Sequence, residues 1–273
     1  MEYVTFNDGN KMPILGYGTF QTPPLETEEN VLKAIDIGYR SIDTAQVYGT
    51  ESGVGSAITK SGIDRSDFFV TSKTQTQGYE DTKKGIDDSL KRFGQDYFDL
   101  MIIHWPTSES LETYRALEEA VKAGKIKSIG LSNFNSKQVD EVIRNSSIKP
   151  VIDQIETHLY WQQQKMSAYL KANNIVHESW APLGENYGGE MMKQPDIQNL
   201  AKKYNVSPAQ ILLRFLTQQG IVTIPKSLNI DHIKSNFDIF GFKMTDEEIK
   251  SLQKFDTHKS IKDWPVSMRE NAY

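Results

Sequence analysis

The stretch Gly38-Tyr39-Arg40-Ser41-Ile42-Asp43-Thr44-Ala45-Gln46-Val47-Tyr48-Gly49-Thr50-Glu51-Ser52-Gly53-Val54-Gly55 decides how this chain is read. A short β-type segment ends in Asp43, a loop of small residues carries Tyr48, and a helix start led by Glu51 follows. A strand that passes directly into a helix is the repeating unit of an α/β fold. A carboxylate and a phenol at a strand's C-terminal end lie where barrel enzymes place their chemistry.

The same unit recurs on both sides of the stretch. Residues 3 to 14 alternate around Asn7-Asp8-Gly9-Asn10, which predicts a β-hairpin turning at Asp8-Gly9 and placed to plug one end of a barrel. Residues 14 to 19 form a first strand, and after Pro23-Pro24 a helix has Val31, Ala34, Ile35 and Gly38 on one face. Further strands are expected at 40–43, 68–72, 98–103, 127–131, 151–156, 175–180 and 221–224. Helices fall between them: one from about 51, one with Ile86, Leu90 and Phe93 in line, one from Leu111 to Ala123 ended by Gly124, and one capped by Ser136. About eight strand-then-helix units favour closure into a (β/α)₈ TIM barrel over an open doubly wound sheet. No linker, low-complexity tract or internal repeat interrupts the pattern, so one domain over residues 1–273 is expected, with an irregular tail from 257 to 273.

Composition narrows the function classes. Of 273 residues, 38% are hydrophobic and 25% charged, as in an ordinary globular protein. The net charge of −5 argues against a nucleic-acid partner, which calls for a basic face. The absence of cysteine removes disulfides, thiolate nucleophiles and cysteine-ligated metals. No apolar run approaches the 18 or so residues of a membrane span, and no basic leader precedes an apolar run, so neither a membrane partner nor export is expected. With no heptad or extended apolar edge, the expectation is a cytoplasmic monomer acting on a small molecule.

Asp43, Lys73 and His104 each close one of three successive strands, and Tyr48 sits in the loop after the first of these. Neighbouring parallel strands bring such side chains to one spot. Their chemistry is complementary: an ammonium stabilises a phenolate and so lowers the ordinary tyrosine pKa of about 10, while a carboxylate holds the ammonium charged and aimed. Tyr48 would then give a proton to a carbonyl oxygen as hydride reaches its carbon, with His104 hydrogen-bonding that oxygen. Taken singly, each residue is more simply a cap, a packing ring or a surface charge. Four compatible types on one rim change that balance.

The 18-residue stretch resembles the signature of the aldo-keto reductases, with the Gly-Tyr-Arg lead-in, the Asp, the Tyr five residues later and the Glu-x-x-Val-Gly tail in place. Lys73 after Phe69-Val70-Thr71-Ser72 and His104 after Leu100-Met101-Ile102-Ile103 fall in the family's order. The resemblance runs over nearly the whole chain and implies Asp43, Tyr48, Lys73 and His104 as the catalytic set of an NAD(P)H-dependent carbonyl reductase.

No Gly-x-Gly-x-x-Gly fingerprint follows a strand. Gly53-Val54-Gly55-Ser56-Ala57-Ile58 lacks the third glycine and lies within a helix start, so a dinucleotide-binding Rossmann domain is not expected. The barrel's own phosphate site, near its last two strands, fits Ile221 through Asn236: an apolar strand, a Lys-Ser pair and a polar helix start. The family resemblance implies Lys226, Ser227 and Asn229 around the 2′-phosphate of NADPH and Asn236 near its adenine. Where the family usually has arginine, this chain has His232, so use of NADH, though weaker, is expected. The resemblance further implies Ser132, Asn133 and Gln154 at the nicotinamide carboxamide, with Trp180 stacked on its ring. Asp153 and Leu159 stand where the family has Asn and Pro.

Phe20, Val47, Trp105 and Trp264 are expected to line the substrate side as an apolar, aromatic wall. The short connection after Trp105 suggests an open rim, as in compact bacterial members resembling 2,5-diketo-gluconate and glyoxal reductases, and suits small aldehydes, dicarbonyls or keto-sugars. Two other classes stand beside this reading. One is a barrel metal-hydrolase using His104, His158 and His177, for which the chain offers no His-x-His pair. The other is a non-catalytic NADP-binding module, against which the retained catalytic types count.

Overall fold

Short runs of β-branched and apolar residues, nearly all buried, form the centre of the molecule, and amphipathic helices surround them. The structure is a computed structural model, and it describes residues 1–263. Strands β1 (Tyr3–Thr5) and β2 (Lys11–Pro13) pair antiparallel as the expected hairpin, with Gly9 at φ +91° in its turn. There follow β3 (Tyr17–Gly18), α1 (Thr27–Ile37), β4 (Ser41–Asp43), α2 (Glu51–Ser61), β5 (Phe69–Thr74), α3 (Tyr79–Phe93), β6 (Phe98–Ile103) and α4 (Ser110–Lys122). The second half continues with β7 (Ile126–Ser132), α5 (Ser136–Asn145), β8 (Ile152–Glu156), α6 (Gln164–Ala172) and β9 (Val176–Trp180). It ends with α7 (Gly188–Met192), α8 (Pro195–Tyr204), α9 (Pro208–Thr217), β10 (Val222–Thr223), α10 (Ile230–Phe237) and α11 (Asp246–Gln253).

Strands β3 to β10 are parallel and lie in chain order in one eight-stranded sheet. Its edges meet: Leu15 bridges Thr223, Gly16 N–H donates to Thr223 O at 2.9 Å, and Thr223 N–H donates to Ile14 O at 3.0 Å. The sheet is therefore a closed (β/α)₈ barrel, as its alternation predicts. Closure leaves the eight-stranded sheet without an edge among the described residues.

Partners in a parallel ladder point to the same face. Gly18, Asp43, Thr71, Leu100 and Ser128 form one such row, and Ser132, Gln154, Glu178 and Val222 another. Leu100 and Val222 belong to the interior cluster with Phe69, Ile102 and Ile152, which identifies these rows as facing the lumen. Phe6, Met12 and Ile14 of the hairpin region enter the same cluster, so the hairpin seals the N-terminal end. Deleting one such buried side chain typically costs about 2–5 kcal/mol. With the lower lumen filled by hydrocarbon, polar side chains collect at its C-terminal mouth.

Two glycines of the opening stretch have physical reasons. Gly38 follows α1 with φ +125°, and a Cβ there would stand 2.8 Å from the Phe237 ring. It is thus the cap of α1 rather than part of its apolar face. A Cβ on Gly55 would fall 1.6 Å from Phe93 O, so only glycine lets α2 lie against the end of α3. One expected cap shifts by a residue: Asn135, not Ser136, caps α5, because Gln138 completes a reciprocal capping box with it. Helix α4 ends at Lys122, with Gly124 at φ +74° just beyond. No helix of the described residues is long and apolar enough to cross a membrane.

Candidate active site

The mouth of the barrel is a cavity of about 360 Å³ lined by Asp43, Tyr48, His104, Ser132, Asn133, Gln154, Trp180 and Lys226, among others. Strands β4 and β6 and the turn after β4 deliver Asp43, His104 and Tyr48 to it, and β5 places Lys73 buried behind its wall, against Asp43. That turn is held by hydroxyls that sequence reasoning passed over. Thr19 Oγ1 donates to Asp43 O at 2.9 Å, and Thr50 Oγ1 lies 2.7 Å from Thr44 Oγ1 and 3.0 Å from Thr19 Oγ1. Glu51 at the head of α2 is buried and accepts from Ser72 Oγ at 2.6 Å and from Arg92 Nε at 2.8 Å. The signature's glutamate thus ties α2 to β5 and α3.

Lys73 is buried, donates to Asp43 Oδ1, and donates to Thr44 O at 3.0 Å. Its ammonium lies 5.0 Å from the centroid of the Tyr48 ring. Burial opposes its charge, but Asp43 and Tyr48 outweigh burial and hold Lys73 above the ordinary lysine value. Tyr48 O–H lies 3.4 Å from His104 Nε2. The expected lowering of the Tyr48 pKa is not what the site produces. Burial raises it, the Lys73 charge pulls it down by less, Asp43 adds to the rise, and the phenol lies above 10. Tyr48 therefore keeps its proton at neutral pH.

His104 is pushed down to about 3, first by burial and then by the Lys73 charge. It is a neutral imidazole across the physiological range, a hydrogen-bond partner rather than a stored proton. His177 is likewise pushed down to about 3 by burial, and its Nε2 lies 2.8 Å from Thr157 Oγ1. His158 Nε2 lies 3.0 Å from Glu156 Oε1. Among the described residues there is no cluster of three or more His, Cys, Asp or Glu side chains suited to a metal.

Beside the four catalytic candidates, Ser132, Asn133, Gln154 and Trp180 form one connected polar wall. Ser132 Oγ donates to Gln154 O at 2.8 Å, Asn133 Nδ2 donates to His104 O at 3.0 Å, and Trp180 Nε1 donates to Asn133 Oδ1 at 2.8 Å. Asn133 takes φ +65°, a conformation that asparagine tolerates better than most residues. Gln154 Nε2 donates to Asp43 Oδ2 at 3.0 Å and to Glu178 Oε2 at 2.9 Å. An amide nitrogen carries two protons, so Gln154 retains only acceptor capacity, on its Oε1.

Lys226 reaches the cavity from the end of β10. Beyond it Ser227 Oγ accepts from Asn229 N–H at 3.1 Å, and Asn229 Oδ1 caps α10 by accepting from Asp231 N–H at 2.8 Å and His232 N–H at 3.2 Å. His232 is exposed in the first turn of α10 and Asn236 is buried further along it. This is a cation followed by a helix N-terminus, a setting suited to a phosphate, while the amides and hydroxyl of the wall suit a carboxamide. The residues present fit a nicotinamide dinucleotide.

Phe20, Val47 and Trp105 stand exposed on the rim, with the Phe20 ring 5.0 Å from that of Tyr48 and Trp105 5.6 Å from His104. Trp264 lies outside the described residues. Leu183, Glu185 and Lys262 also line the cavity, and no strand pattern pointed to them, because they come from connections. A second cavity of about 280 Å³ shares Val47, His104 and Trp105 and is otherwise lined by Thr74, Gln75, Thr76, Gln77, Ile103, Thr107 and Thr113.

The model of the aldo/keto reductase family matches residues 14–257. The glyoxal reductase of Bacillus subtilis is 39% identical over 262 residues, covering 94% of this chain and 94% of its own. Among solved structures, MGS-M4, an aldo-keto reductase enzyme from a Medee basin deep-sea metagenome library, superposes with a TM-score of 0.93 at 40% identity, over 94% of this chain and 96% of that one. An aldo-keto reductase of Bombyx mori in complex with NADP gives a TM-score of 0.90 at 33% identity, over 96% and 95%.

Proposed function

The chain belongs to the aldo/keto reductase family and is an oxidoreductase acting on carbonyl groups, and from that premise we propose that it reduces small aldehydes, dicarbonyls or keto-sugars with NADPH, Tyr48 being the proton donor. The observation that carries this reading is the meeting of a protonated phenol, a neutral imidazole and a buried Lys73–Asp43 pair at one cavity. When bound, NADPH supplies the hydride that reaches the carbonyl carbon. The substrate oxygen lies between Tyr48 O–H and His104 Nε2, accepting from both. As negative charge gathers on that oxygen, the Tyr48 proton passes to it, and the Lys73 ammonium stabilises the phenolate left behind. Asp43 keeps that ammonium charged and aimed.

Ser132, Asn133 and Gln154 hold the carboxamide end, Trp180 covers the ring, and Lys226 with Ser227, Asn229 and His232 holds the 2′-phosphate, with Asn236 near the adenine. Support for NADPH comes from the Bombyx mori relative, and support for dicarbonyls from the glyoxal reductase. The second cavity supports hydroxylated carbonyls as well, since its threonines and glutamines can hydrogen-bond to hydroxyl groups. We read the chain as one domain, monomeric and cytoplasmic, and NADH as the weaker donor.

The test is nicotinamide absorbance with purified protein, NADPH or NADH, and methylglyoxal, an aromatic aldehyde and a keto-sugar. Turnover with NADPH is expected, and Tyr48→Phe should lower kcat by about 10²–10⁴ while still binding NADPH. Unchanged turnover in Tyr48→Phe removes the mechanism. Tight NADPH binding without turnover in the parent favours a binding module instead.

A further inference from the structure

Strand β9 brings an acid to the lumen that the mechanism above does not use. Glu178 is fully buried and stands in register with Gln154 on β8 and Val222 on β10. Its Oε2 accepts from Gln154 Nε2 at 2.9 Å, and the same nitrogen donates to Asp43 Oδ2 at 3.0 Å. Its Oε1 finds no partner among the described residues. The charged groups facing it are Asp43 from β4 and Lys73 from β5, whereas β8 and β10 present the uncharged Gln154 and Val222.

We infer that Glu178 is a positioning residue, which fixes the Gln154 amide with its carbonyl toward the cofactor and sets the charge felt by the Asp43–Lys73–Tyr48 chain. Gln154 could otherwise turn by half a revolution about its last torsion and offer N–H where an acceptor is wanted. The Asp43 carboxylate, which can only accept, takes one proton of its nitrogen and removes that choice, and the Glu178 carbonyl takes the other. Both carboxyls cannot comfortably be charged, because they share one amide and one ammonium. Asp43 has the direct bond to Lys73, so Glu178 is the one that stays neutral, and an oxygen without a partner is far less costly on a neutral carboxyl than on a carboxylate. Burial, and then the Asp43 charge, push the Glu178 carboxyl up to about 8. Above that pH a second negative charge enters the lumen, holds the proton on Tyr48 more tightly and slows its transfer.

This inference rests on the proposed roles of Gln154 and Tyr48, and its experiment separates the two. Infrared spectra of the cofactor-free protein should show a protonated buried carboxyl that disappears as pH rises through about 8. The band should be missing in Glu178→Gln. With saturating NADPH, reductive kcat of the parent should fall across the same pH range, and Glu178→Gln, whose own carbonyl can still accept from Gln154, should lose that fall. Glu178→Ala, which removes the acceptor, should weaken NADPH binding about tenfold, read from tryptophan quenching. A carboxyl band that survives in Glu178→Gln, or an alkaline limb identical in parent and Glu178→Gln, overturns the inference. A parent that shows the band but binds no NADPH would sink the cofactor reading while leaving the neutral Glu178 standing.

Discussion

His104 is a neutral ring. Burial and the neighbouring Lys73 charge push it down to about 3, so in the proposed reaction it serves as a hydrogen-bond donor to the substrate oxygen and cannot lend a second proton. The kcat of the parent, measured with NADPH saturating, should therefore be flat between about pH 5.5 and 7, a window that spans the ordinary histidine value and stops short of the Glu178 ionisation. His104→Ala should lower kcat by about 10²–10³, the cost of one lost donor to a developing oxyanion. An inflection near pH 6.5 that vanishes in His104→Gln would show that the imidazolium takes part. The positions of these residues were legible in the sequence, because Asp43, Lys73 and His104 end successive strands and strand ends meet at a barrel's mouth. The protonation states were not. A Lys beside a Tyr reads as a lowered phenol, yet the phenol lies above its ordinary value, since burial is a property of the folded site that spacing does not report. Glu178 is invisible for a related reason: the spacing of residues 175–180 does not report which of its polar side chains is buried in the lumen.

Among the elements, α10 is the one that meets the cofactor's phosphate in the proposed reading. Asn229 satisfies the amides of Asp231 and His232, which leaves a phosphate there to the side chains of Lys226 and the exposed His232. A guanidinium can grip a phosphate through two parallel N–H donors where an imidazole offers one, so His232→Arg should bind NADPH more tightly than the parent, with little change for NADH. The effect is expected to be about three- to tenfold, modest because the contact faces solvent. Equal NADPH affinity in parent and variant would mean that His232 does not touch the phosphate. The order and kind of the elements followed from hydrophobic period and turn residues, down to the hairpin at Asp8-Gly9. Errors fell at ends. Asn135 and Ser136 are both competent caps, and the choice lies in the Asn-x-x-Gln spacing to Gln138, a signal that was present and went unused.

At the scale of the whole molecule, three buried groups set how stability follows pH. His104 and His177 fall from an ordinary 6.5 to about 3 in the folded protein, so below pH 6.5 the unfolded chain takes up protons that the fold refuses. Their contribution is complete above 6.5 and is lost as pH falls toward 3. Glu178 runs the other way, from an ordinary 4.5 up to about 8. Its contribution is complete below 4.5 and is lost as pH rises toward 8, because the unfolded chain has already released the proton that the fold retains. Between 4.5 and 6.5 two histidine protons outweigh one glutamate proton and stability climbs with pH. Between 6.5 and 8 only Glu178 still acts, and stability declines by about 1.4 kcal/mol per pH unit. Tyr48 and Lys73 are both raised from values of 10 or more and titrate beyond this window. Calorimetric Tm should therefore peak near pH 6.5. Glu178→Gln should keep the acid limb and flatten the alkaline one, whereas His177→Asn should ease the acid limb by about one proton. A Tm that goes on rising to pH 8.5, or an alkaline decline of equal slope in Glu178→Gln, would mean that the lumen carries its second carboxyl charged.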